Sequence, residues 1–109
     1  MPPSTKIQSH KPLRAREALR ELSERLPEMK RRFDVSELII FGSVARDEAR
    51  IDSDLDMLVT FVGTPTFANF MGLKIYLEDL FGVSVDLGIR SDIRPALRSR
   101  IEQDSRYVS

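Results

Sequence analysis

From Asp54 to Val62 the chain alternates, with Leu55, Met57, Val59 and Phe61 pointing one way and Asp54, Asp56, Leu58, Thr60 and Val62 the other. Successive side chains of an extended backbone leave on opposite faces, so this pattern predicts a strand whose apolar face seeks a core. Asp54 and Asp56 then share the other face. Such a strand needs neighbours. Leu38-Ile39-Ile40-Phe41, a continuous apolar run ended by Gly42, suits a buried one, and Gly42-Ser43 turns the chain after it. Val83-Ser84-Val85-Asp86-Leu87 alternates again and places Asp86 on the face opposite the valines.

The remaining apolar residues follow a helical period. Leu19, Leu22, Leu26, Met29 and Phe33 recur at steps of three and four, an amphipathic stripe crossed by Pro27, where a kink or a restart is expected. Gly63-Thr64-Pro65-Thr66 breaks the second strand and offers helix caps. Phe67, Phe70, Leu73, Leu77, Leu80 and Phe81 then form a stripe that stops at Gly82. Ile93, Leu97 and Ile101, behind Ser91 and Asp92 as caps, predict a last short helix to about Asp104. The expected order is helix, strand, strand, helix, strand, helix, an α/β domain with a small mixed sheet covered by helices. Residues 1–12 hold three prolines and no apolar period, so they read as a flexible N-terminal extension with His10 exposed, ahead of one domain over 13–109.

Composition narrows the chemistry. The chain has no cysteine and one histidine, which excludes thiolate catalysis, cysteine-bound zinc and a serine–histidine relay. Carboxylates are left to do the work. No apolar run nears the ~18 residues of a membrane span and the first residues lack an apolar leader core, so a cytoplasmic protein with no membrane partner is expected. The formal charge is +0, yet it is segregated. Residues 1–33 carry nine Lys/Arg against four Glu, and residues 34–89 carry three basic against ten acidic side chains. A solvated basic face on the first helix is preferred over nucleic-acid binding.

The acids fall where they can act together. Asp54 and Asp56 project side by side, and a hard divalent cation with oxygen ligands relieves their repulsion. Mg²⁺ suits the site because it shares its shell between one or two carboxylates and substrate phosphates. With Asp86 as a third acid, two metal ions become possible, the arrangement of phosphoryl or nucleotidyl transfer. Gly42 lets backbone approach a triphosphate, the amides after it and the Ser43 hydroxyl can bind its oxygens, and Arg46 can add a charge-assisted contact.

Gly42-Ser43, ten residues, then Asp54-Leu55-Asp56, with Ser43-Val44-Ala45-Arg46 between them, resembles the signature of the DNA polymerase β-like nucleotidyltransferases. At this length, with Asp86 as third acid, the chain is most similar to the minimal nucleotidyltransferases, the antitoxins of toxin-antitoxin pairs whose toxins are HEPN proteins. The resemblance implies the polymerase β-like fold and triphosphate binding by Gly42 and Ser43. It also implies Mg²⁺ on Asp54 and Asp56, and Asp86 as ligand or activator of the attacking hydroxyl. It implies transfer of AMP from ATP to a tyrosine of a HEPN-type toxin encoded nearby, with which the chain would form a hetero-oligomer. One position departs from the pattern. Where the family has Gly, this chain has Asp47, which tolerates a left-handed backbone but sets a negative charge near the expected phosphates. That departure keeps open a non-catalytic antitoxin that neutralises its partner by occlusion.

Overall fold

The computed structural model describes residues 11–109; residues 1–10, with most of the expected N-terminal extension and His10, lie outside the described residues. Helix α1 (Ala15–Phe33) runs unbroken through Pro27, where sequence predicted a kink or a restart. Packing decides the matter. An interior proline costs about 3 kcal/mol, whereas each fully buried Met or Phe contributes about 1.5–3 kcal/mol. Met29 and Phe33, both beyond Pro27, are buried on the same stripe as Ala18 and Leu22. Pro27 itself is exposed.

Strand β1 (Val35–Phe41) follows α1 and ends in α2 (Gly42–Ala45), a single helical turn where a plain turn was expected. Strand β2 (Leu55–Phe61) returns antiparallel to β1, with Phe41 opposite Asp56 and Ile39 opposite Leu58. Helix α3 (Phe67–Phe81) starts on Thr66, whose hydroxyl accepts from the Asn69 N–H at 3.1 Å. It stops at Gly82, in the left-handed conformation. Both signals were legible in sequence.

Strand β3 (Val85–Ile89) lies parallel to β2, two residues later than the apolar alternation suggested. A 3-10 turn over Arg90–Asp92 uses the residues expected to cap the last helix, so α4 (Pro95–Asp104) begins instead with a proline at its first turn. Strand β4 (Arg106–Tyr107) pairs with β1 and was not expected, because two residues carry no periodicity. The sheet order is β3-β2-β1-β4.

Helices α1 and α3 cover one sheet face. There Leu38, Ile40, Leu55, Met57, Val59, Val85 and Leu87 are buried against Leu22, Met29, Leu73 and Leu77. The opposite face carries Phe41, Asp56 and Asp86 in one row and is covered only in part by α4, which buries no side chain of its own. Among the described residues no helix is long and apolar enough to cross a membrane.

Candidate active site

The ladder brings two of the predicted acids together. Asp56 and Asp86 are direct partners of the parallel β2–β3 pair, so their side chains stand on the same face of adjacent strands. Asp54 precedes β2 by one residue. Asp56 is half-buried, whereas Asp54 and Asp86 are exposed. Burial first, and then the like charges of Asp86 and Asp54, hold the Asp56 carboxyl above the ordinary aspartate value, partly offset by Arg46.

Gly42 closes the site from the β1 side. Its φ is +75°, and a Cβ built on it would overlap the Asp56 carboxylate oxygen. Glycine is required there twice, for the left-handed backbone and for the contact. Val44 and Ala45 are buried and anchor the turn in the core, leaving Ser43 half-buried beside Gly42.

Among the described residues no hydrogen bond or ion pair engages the carboxylates of Asp54, Asp56 or Asp86. Their oxygens are hard donors whose crowded charge is only partly offset by Arg46, which fits a divalent cation such as Mg²⁺. The described residues do not by themselves bring three acidic or imidazole groups into a cation cage.

Arg46 is the predicted site residue whose surroundings differ most from expectation. Its Nε lies 2.9 Å from Glu48 Oε1, and its second ion pair reaches Asp104 Oδ2 at 2.9 Å, joining the turn to the end of α4. These pairs engage Nε and Nη1, so a contact from Arg46 to nucleotide draws on the remaining guanidinium donors or exchanges a partner. Asp47 has φ +59° and accepts a hydrogen bond from the Ala15 N–H at 2.8 Å, so its carboxylate is aimed at the start of α1.

A residue that sequence reasoning passed over also shapes the site. Glu78 of α3 accepts from the Val85 N–H at 3.0 Å and from Lys74 at 3.3 Å, fixing the first residue of β3 next to Asp86. The i,i+4 spacing of Lys74 and Glu78 was visible in the sequence, but nothing there announced the bond to Val85.

The family model for the nucleotidyltransferase domain matches residues 16–108. The chain belongs to the nucleotidyltransferase family. Its curated relatives share most of this domain. A Methanocaldococcus jannaschii protein described as a protein adenylyltransferase is 43% identical over 81 residues, covering 73% of this chain and 83% of the relative. The protein adenylyltransferase MntA of Thermococcus cleftensis is 40% identical over 81 residues, covering 74% and 82%. A solved structure described as a minimal nucleotidyltransferase superposes with a TM-score of 0.73 at 38% identity, covering 91% of this chain and 98% of that one. The fold alone is shared with the antitoxin in a complex with a tri-AMPylated HEPN toxin of Shewanella oneidensis, at TM-score 0.59 and 15% identity, covering 84% of this chain and 71% of that one. The nucleotidyltransferase fold expected from the sequence is thus the one observed.

Proposed function

We propose that this nucleotidyltransferase transfers AMP from ATP to a tyrosine hydroxyl of a HEPN-type toxin and acts as its antitoxin, with residues 13–109 as one catalytic domain working in the cytoplasm. The observation that carries the reading is the in-register pairing of Asp56 with Asp86 beside the Gly42 turn. The 40% identity to the protein adenylyltransferase MntA supports it.

In this account Asp54, Asp56 and Asp86 hold Mg²⁺, as one ion or two. When bound, the metal supplies charge neutralisation at the phosphates and a template for in-line displacement. Gly42 lets the turn approach the triphosphate, while Ser43 donates its hydroxyl and Arg46 adds a charged contact. The acceptor oxygen bonds to the α-phosphorus as the bond from that phosphorus to the bridging oxygen breaks and pyrophosphate leaves. The hydroxyl proton passes to Asp86, a carboxylate exposed on the edge strand and so open to a large acceptor.

The rival reading, a partner that only occludes, drew on Asp47 weakening the nucleotide site. That carboxylate is engaged by the Ala15 N–H. Incubation with α-labelled ATP, Mg²⁺ and the toxin tests the proposal, with label expected on a toxin tyrosine through a denaturing gel. A toxin silenced without label would favour occlusion instead.

A further inference from the structure

The sheet ends in two unlike edges. Strand β4 closes one with two residues, whereas β3 forms the other over five, paired to β2 without a register shift from Leu55 opposite Val85 to Val59 opposite Ile89. Exposed edges are ordinarily blunted by shortness, lysine, proline or a bulge. Val85-Asp86-Leu87-Gly88-Ile89 holds no lysine, proline or bulge, and its one charged side chain is Asp86 of the acidic row.

Hydrogen-bond parity tells which backbone groups of this edge lie open. In a parallel ladder the N–H and C=O of one residue point to the neighbouring strand and those of the next residue point away from it. The Ser84 C=O accepts from the Leu55 N–H at 2.9 Å, so Ser84 and Asp86 turn their backbone groups to β2, and Val85 and Leu87 turn theirs outward. The Val85 N–H accordingly donates to Glu78 Oε2, outside the ladder, at 3.0 Å. Leu87 has no such partner: among the described residues no hydrogen bond reaches its outward N–H or C=O. A chain bonded to Leu87 lies one strand spacing, about 4.8 Å, from β3, and every second side chain of it stands on the face of the acids.

We propose that the open edge of β3 docks the protein acceptor: an extended, basic segment of the toxin adds to the sheet as a further strand through the N–H and C=O of Leu87 and lays its tyrosine on the acid face beside Asp86. The proposal rests on the proposed transfer to a toxin tyrosine and states how that acceptor is held. Main-chain hydrogen bonds supply the hold, and the alternate side chains supply the selection. A second copy of β3 fits less well, because it sets another Asp86 against this one, and like charges opposed across strands destabilise the pair. Lysine or arginine beside the tyrosine meets the same acids favourably.

Amide-resolved hydrogen exchange, on the chain alone and saturated with unmodified toxin, tests it. In the free chain the Leu87 amide should exchange rapidly between the slow amides of Asp86 and Gly88, and toxin should slow it at least about tenfold. Leu87→Pro removes this donor where the ladder does not use it, so the variant, shown folded by circular dichroism, should lose at least about tenfold of the label transfer from α-labelled ATP to toxin. If the variant does not fold, the exchange decides. A Leu87 amide as fast with toxin as without it, or a folded Leu87→Pro that labels toxin at the wild-type rate, overturns the docking and leaves nucleotidyl transfer standing. Protection of Leu87 that rises with the concentration of the chain alone assigns the edge to a second copy and likewise overturns it. Absence of label on toxin with the wild type overturns the proposed function, and this proposal with it.

Discussion

The N–H of Ala15, the first residue of α1, donates to Oδ1 of Asp47 at 2.8 Å across 32 positions of sequence. Arg14, the residue that should cap this helix, supplies no side-chain bond. The cap therefore comes from the loop behind the Gly42 turn, and an aspartate there also meets the positive end of the helix dipole. The residue that departs from the family pattern thus fastens the turn to the longest helix.

Asp47→Gly keeps the left-handed backbone but deletes the acceptor, and should lower stability by about 1 kcal/mol in urea titrations. Asp47→Asn keeps both features and should avoid most of the loss. A glycine variant as stable as the wild type would show that the bond contributes nothing.

Gly42→Ala should be costlier, on the order of 1–3 kcal/mol, because its backbone is left-handed and the new methyl meets Asp56. Nucleotide binding should fall with it. Adding Asp56→Ala to Gly42→Ala should recover part of the thermal midpoint, since the overlapping oxygen is gone. Strictly additive losses in the double variant would contradict the contact.

Sequence carried the fold where a period ran long enough to read. The alternation from Asp54 to Val62 became β2 over Leu55–Phe61, and the Thr66 and Gly82 signals bounded α3 as expected. At Pro27 the helix does not restart, because a local rule competes with burial of Met29 and Phe33, which only the tertiary structure reveals. The spacing of Gly42 and Asp56 was legible as a motif, but not the reason for the glycine, a contact between residues on different strands. Ties between elements such as Asp47 to Ala15 and Glu78 to Val85 leave no periodic trace.

The bond from Val85 to Glu78 makes its own pH dependence. Accepting that backbone N–H, and secondarily the Lys74 contact, holds the Glu78 carboxyl below its ordinary 4.5. A lowered folded value gives stability that is present above the unfolded value and lost as pH falls through the folded one. Glu78→Gln should therefore lower the thermal midpoint slightly at neutral pH, and the gap should close in acid below the ordinary glutamate range. A gap that persists there would assign it to packing.

The carboxylate of Asp56 carries the central claim, because a charge crowded by Asp86 and Asp54 serves the bound state and opposes the free one. The direct measurement is transfer of label from α-labelled ATP to the partner by wild type and Asp56→Asn, run beside metal-free thermal melts. The account predicts that Asp56→Asn abolishes transfer while its metal-free midpoint stays unchanged or rises slightly. A variant that keeps transfer and melts several degrees lower would make Asp56 a structural residue and contradict the assignment of the acidic row as the catalytic site.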